Sequence, residues 1–333
     1  MEILVAIGLS VLLGVVPMVI FSVVLTWFDR YEKEPPLLMI GVFLWGLIAA
    51  AGAALIINTL FGVGLIFVTG SQDVAMTGAA VFSAPLVEET VKGLAVLAVF
   101  VYFYNEFDSV LDGIIYGGLV GFGFAAAENI NYIFSGYANS DMGGWSGLFA
   151  VAAVRILLIP FLHGFLTSWT GIGFAVARLN RGWLRYVAPP AGYLTAMALH
   201  FFHNLLSSAG MPVLCLLGSL FDWMGFIGMI LFILVLVWRE GRIVRDYLRE
   251  EVGFGTLTQR QWQTASSLWG NWAVRTSALL EGNWRATEHF YDLCGKLAFK
   301  KMQMSRVGVE PGVPMLIARL RSQLAAMSPS IKA

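Results

Sequence analysis

Residues 84–96, APLVEETVKGLAV, set Glu88, Glu89 and Lys92 in the middle of an apolar run that continues on both sides of them. In a helix of 3.6 residues per turn, Glu88 and Lys92 are i,i+4 neighbours and Glu89 and Lys92 are i,i+3 neighbours, so the three charges share one side. An ionised side chain at the centre of a membrane span costs about 2.5–3.5 kcal/mol even on a lenient scale. Charges kept in such a place face other polar groups or water, and they mark a functional site by default. The reading of the chain therefore turns on whether this run crosses a bilayer.

The composition says that it does. Of 333 residues, 58% are hydrophobic and 13% charged, against about 25% charged in a soluble domain, and the mean hydropathy is +0.75. A hydrocarbon core of about 30 Å needs about 20 apolar residues. Runs of that length occupy 3–27, 38–60, 79–104, 110–134, 148–177, 187–208 and 214–238. The expectation is an all-α polytopic membrane protein of about seven transmembrane helices, with a transmembrane part over 1–238 and a helical, partly amphipathic tail over 239–333. The N-terminal MEILVAIGLSVLLGVVPMVIF has no basic n-region and is too long for a signal-peptide core, so it reads as a retained first span. Cys215 and Cys294 make neither a disulfide framework nor a cysteine zinc site.

Charge is unevenly spread. The tail holds 14 of the 21 Lys and Arg and 8 of the 21 Asp and Glu, so it carries about +6 and the rest about −6. A basic tail beside a bilayer attracts anionic headgroups, and nothing in the sequence directs it to nucleic acid. Basic residues in short loops set orientation. Arg30 and Lys33 follow the first run, Arg178, Arg181 and Arg185 the fifth, and Arg239, Arg242, Arg245 and Arg249 the seventh. All fall on one side of a seven-span chain, which puts the N-terminus outside and the tail in the cytoplasm.

With that topology, at 1.5 Å per residue, Glu88 and Glu89 lie roughly 14 Å from the outer surface, Glu128 and Asn129 roughly 8 Å, and His200, His203 and Asn204 roughly 6–12 Å. His163 comes out deeper, roughly 22 Å. Gly117, Gly121 and Ala125 recur every fourth residue ahead of Glu128, a face that lets another helix approach closely. Lys92 can neutralise only one of the three glutamates. Arg155 reads as a side chain snorkelling to the headgroups, and Asp222, beside Trp223, as a residue of the interfacial belt that is left outside the site.

The motifs EETVK (88–92), GFGFAAAEN (121–129), FLHGFLTSWTGIG around His163, and HFFHN (200–204), together with FDRYEKEPP (28–36), resemble those of the PrsW family of intramembrane proteases over residues 28–204. The resemblance implies a polytopic protease in a bacterial-type plasma membrane, distantly similar to the CAAX prenyl proteases and the APH subunit of gamma-secretase. It also implies a membrane-anchored protein substrate cut near the outer face. Carried over by motif, the catalytic positions are Glu88, Glu89, Lys92, Glu128, Asn129, His163, His200 and Asn204.

The residue types fit water-dependent peptide hydrolysis, in which one carboxylate takes a proton from water while a histidine and Asn204 stabilise the oxyanion. No GxSxG motif or triad setting favours a covalent route. A metal route stands beside a metal-free one: Glu128, His163 and His200 or His203 supply three ligands and leave a position for water, as in catalytic zinc sites. Without HExxH, those ligands come from different helices. The readings from other classes are a non-catalytic scaffold of the same fold and an ion- or proton-coupled transporter, which also buries Glu, Lys and His.

Overall fold

In hydrocarbon, no water is at hand for exposed backbone groups, so long apolar runs satisfy their N–H and C=O groups internally as helices. The structure, a computed structural model, describes residues 1–139 and 143–331, and no strand occurs among them. Element α1 is Glu2–Trp27 and α2 is Pro36–Thr69, with a π-helical turn at Trp45–Ala50. Element α3 covers 72–102 as Gln72–Gly78, a π turn at Ala79–Ser83, and Ala84–Tyr102. Then come α4 (Val110–Asn139), α5 (Gly144–Ala153) with a π turn at Val154–Leu158, α6 (Leu162–Leu179), α7 (Leu184–Ser208) and α8 (Pro212–Gly253). The tail adds α9 (Gln259–Ala265), α10 (Leu268–Leu280), α11 (Trp284–Val307) and α12 (Val313–Met327).

Every expected run is largely helical, the fifth being broken at 159–161. Among the described residues, five stretches are long and apolar enough to cross a membrane by themselves: Glu2–Trp27, Pro36–Thr69, Val110–Asn139, Gly144–Leu179 and Pro212–Gly253. The other two expected spans fall short because they carry the polar load. Ala84–Tyr102 holds three charges in 19 residues, and α7 holds Pro189, Pro190, Asn204 and two histidines.

The chain forms two compact units. The first comprises Met1–Thr26, Pro35–Ala177 and Tyr186–Ile230. Its centre is α4, buried at every residue from Leu111 to Ala126. Small residues make that burial possible, since a Cβ on Gly117 would come within 2.9 Å of Ser168 Cα, and one on Gly121 within 2.7 Å of Gly164 Cα and into the His163 carbonyl. Gly113 meets Gly171 in the same way. The stripe read from the sequence thus continues one turn further back and seats α6 on α4, with His163 at the contact. On another face, Gly123 lets the α2 backbone approach, with Leu47 N 3.0 Å from where its Cβ would stand. The peripheral helix α1 is apolar outward, exposing Ile3, Leu4, Leu12, Ile20 and Val23.

The second unit comprises Trp27–Glu34, Arg178–Arg185 and the chain from Leu231 on. The tail is therefore a packed helical body that takes in two of the basic loops. Tyr31 is buried, and its carbonyl lies so close to Gly295 that no other residue fits there without a shift. Buried ion pairs staple this unit. Glu251 receives Lys301 Nζ at 2.8 Å and Arg321 Nε at 2.9 Å, and the fully buried Arg178 holds Glu310 through both guanidinium nitrogens, at 2.7 and 2.9 Å. Helix α8 runs through residue 238 without a break.

If the α4–α6 seam is as tight as this, Gly121→Ala forces a backbone shift and destabilises the protein by about 1–3 kcal/mol, the usual cost of overpacking. Gly52→Ala, at a helical glycine with nothing within 4 Å of the added carbon, leaves stability unchanged or raises it. Thermal unfolding of the two purified variants in detergent checks this.

Candidate functional site

Six elements of the first unit, α2 to α7, converge on one buried polar cluster, and the motifs read from the sequence supply its core. From α3, Glu88, Glu89 and Lys92 are all buried. Lys92 Nζ donates to Glu89 Oε1 at 2.5 Å, and on its other side it donates to His163 Nδ1 at 3.1 Å. It also lies 4.5 Å from the centroid of the Phe124 ring, a cation–π contact that suits an ammonium away from water. Glu89 is the most connected carboxylate: Oε1 also accepts from His200 Nδ1 at 2.9 Å, and Oε2 accepts from the Thr167 hydroxyl at 3.2 Å.

A second node lies on α4. Glu128 Oε2 accepts from His163 Nε2 and from an Arg155 Nη, each at 2.7 Å. Arg155 Nε donates to Asn129 Oδ1 at 2.7 Å, which leaves the buried Asn129 Nδ2 with no hydrogen-bond partner. Arg155 is thus an internal partner of the α4 carboxylate and not a headgroup-facing side chain. The reason is local: the π turn at Val154–Leu158 and the break at 159–161 around Pro160 re-aim the chain between α5 and α6, and π turns and prolines are common causes of such changes of direction. A span ending at 134 sets Glu128 and His163 roughly 14 Å apart in depth, but α4 continues to Asn139, so Glu128 lies roughly 16 Å from its end.

Glu88 differs from the other two carboxylates. Its Oε1 accepts only a long bond, 3.4 Å, from Asn58 Nδ2, and Asn58 in turn accepts from Ser83. Its Oε2 is buried with no hydrogen bond and faces His200 Nε2 at 3.8 Å. Glu88, His163 and His200 each present one donor atom within 4.8 Å of the others, an arrangement able to hold a metal ion. The chemistry of the set fits, because each histidine gives its other ring nitrogen to a carboxylate, His200 Nδ1 to Glu89 and His163 Nε2 to Glu128. Such second contacts orient imidazole ligands and raise their basicity. The carboxylate grouped with the two histidines is Glu88, where the sequence pointed to Glu128.

Two residues of the HFFHN motif face elsewhere. Asn204 Nδ2 donates to the Ala80 carbonyl at 2.7 Å, in the π turn of α3. His203 Nδ1 is 2.6 Å from Asp222 Oδ2 and ties α7 to α8. Sequence reasoning missed Asn58 and Thr167, neutral residues in apolar runs with no spacing to single them out.

The chain has known relatives. It matches the family described as "PrsW family intramembrane metalloprotease" over residues 34–238. A "Protease PrsW" of Geobacillus kaustophilus is 30% identical over 178 residues, which is 54% of this chain and 70% of that protein. A "Protease PrsW" of Clostridioides difficile is 34% identical over 124 residues, 37% of this chain and 50% of that protein. No solved structure matches the chain.

Because Arg155 compensates a carboxylate withdrawn from water, Arg155→Leu lowers unfolding stability by about 3–5 kcal/mol, the range for breaking one side of a buried pair. Thr167→Val, which removes one hydrogen bond of Glu89, costs about 1–3 kcal/mol. Denaturation of both variants against wild type, in the same detergent, checks the ranking.

Proposed function

Since the chain belongs to the PrsW family of intramembrane metalloproteases, we propose that it hydrolyses a peptide bond of a membrane-anchored protein with a single zinc ion held by Glu88, His163 and His200. The observation that carries the assignment is the unpaired Glu88 Oε2, buried against His200 Nε2. Charge counting supports it. Glu88, Glu89 and Glu128 face two obligate cations, Lys92 and Arg155, and the geometry gives Lys92 to Glu89 and Arg155 to Glu128. Glu88 is left to be balanced by a bound cation.

When bound, zinc polarises the scissile carbonyl and acidifies water. The chain's own residues do the rest. Glu89 and Thr167 fix His200 in the tautomer that leaves Nε2 free to ligate. Lys92 holds Glu89 in place and donates to His163 Nδ1, the ring nitrogen of His163 that would face a bound ion. Glu128 has the most exposed side chain of the three carboxylates, 19% against 7% and 0%. It takes the proton of the attacking water and returns it to the leaving amine. Arg155 and Asn129 Nδ2 donate hydrogen bonds to the carbonyl oxygen as it becomes an oxyanion. Asn204 supports the Ala80 turn ahead of Glu88.

Orientation follows the basic loops. Their grouping with the tail in one unit supports a common, cytoplasmic side for all three, with the N-terminus outside and the cut made toward the outer half of the membrane. A second reading balances Glu88 with a proton and makes it a metal-free acid–base pair with His200.

Cleavage of single-span membrane substrates by the purified protein, with and without a strong chelator, separates the two readings. Zinc-dependent cleavage is abolished by chelator, restored by added zinc, and lost in Glu88→Gln and His200→Ala, while Glu89→Gln loses about 10–100-fold, as second contacts to a metal do. Cleavage that survives the chelator but not Glu88→Gln selects the metal-free reading.

A further inference from the structure

We propose that the second unit carries a binding site for the phosphate of an anionic phospholipid, formed by Arg30, Lys33 and Arg275 beside Trp272. These residues line a cavity of about 80 Å³ together with Glu288, about the space of two or three waters at about 30 Å³ each. Three cations share it with fewer opposing charges than they need. Arg275 gives Nη2 to Asp292 at 2.8 Å and Nε to Asn271 at 2.6 Å, but its buried Nη1 has no hydrogen-bond partner and stands 3.7 Å from Glu288. Arg30 lies over the Trp27 ring, 3.3 Å from the guanidinium carbon to the centroid. Neither Arg30 nor Lys33 forms an ion pair among the described residues. Burial and the neighbouring Arg275 press Arg30 below the usual arginine range, as expected of like charges gathered without a counterion.

The remaining acid near this cavity is weak. Asp29 is buried against the Glu34 N–H, and burial pushes it up to about 7, so it offsets the nearby cations less than an ordinary carboxylate does. With Glu288 and Asp292 set against Arg30, Lys33 and Arg275, the set is short of negative charge.

Chain connectivity identifies the anion's source. Arg30 and Lys33 lie in residues 28–35, which join α1 to α2, two helices long and apolar enough to cross a membrane. Eight residues reach roughly 25–30 Å when fully extended, so a loop tied to the bilayer at both ends stays in the headgroup layer. Trp27, Trp269 and Trp272 are exposed, as aromatic residues are at membrane interfaces. A lipid phosphodiester held between the guanidinium groups, with its acyl chains returning to the bilayer, satisfies both the charge and the aromatic surface.

The test is native mass spectrometry of the full chain released from mixed phosphatidylglycerol and phosphatidylcholine nanodiscs, comparing wild type, the double variant Arg30→Gln with Lys33→Gln, and Glu288→Gln. Wild type retains phosphatidylglycerol over phosphatidylcholine, the double variant binds it roughly thirtyfold less tightly, and Glu288→Gln binds it more tightly. A misfolded variant cannot mimic that gain. Equal retention of the two lipids, unchanged retention in both variants, or saturation by millimolar inorganic phosphate in place of lipid overturns the proposal. None of these readouts depends on proteolysis.

Discussion

Charge balance away from water is the constraint on which the rest of the structure depends. Three carboxylates sit on two neighbouring helices, and burying an ionised group is tolerable only when it is paired and hydrogen-bonded. The helices are arranged to provide those pairs. Lys92, one turn along from Glu89, reaches it within α3; Arg155 reaches Glu128 because α5 ends in a π turn; His163 and His200 bridge the two nodes from α6 and α7. The chain of contacts from His200 through Glu89, Lys92 and His163 to Glu128 and Arg155 alternates acceptors and donors. Beside its His200 end stands one carboxylate oxygen, Glu88 Oε2, that has no hydrogen bond.

Packing serves this arrangement. The glycine stripe of α4 brings α6 to backbone contact, which sets His163 within reach of both Lys92 and Glu128. With larger residues, α6 would stand off by about an ångström or more, beyond what hydrogen bonds of about 2.7–3.1 Å allow. The irregular turns matter in the same way. The π turns in α2, in α3 and after α5 precede or contain Trp45, Glu88 and Arg155, and π-helical turns are frequent at functional sites because they rotate the next side chains to another face.

Much of this was legible in the sequence. Spans 1, 2, 4, 5 and 7 follow from length and hydropathy. The four polar motifs lead to the cluster because a charge isolated in an apolar run is costly and has to find a partner inside the protein. What was not legible depends on rotation and bending. Straight-helix reckoning sent Arg155 to the headgroups and set His163 far below Glu128. Spacing cannot say whether Glu88 or Glu89 turns toward His200 Nε2, since both lie on the same side of α3. Asn58 and Thr167 are single neutral residues that only a tertiary contact distinguishes. The gathering of residues 27–34 and 178–185 with the tail is likewise a matter of long-range packing, set by fits such as Tyr31 on Gly295.

In the proposed site Glu88, His163 and His200 hold the metal, with Glu128 outside the ligand set. Zinc-edge X-ray absorption of the purified protein loaded with one equivalent of zinc tests it most directly, on wild type, Glu88→Gln and Glu128→Gln. With that ligand set the spectrum shows two imidazole nitrogens at about 2.0–2.1 Å with a carboxylate oxygen, is altered by Glu88→Gln and is preserved by Glu128→Gln. A spectrum that changes only with Glu128→Gln, or a protein that binds no zinc and still cleaves, contradicts it.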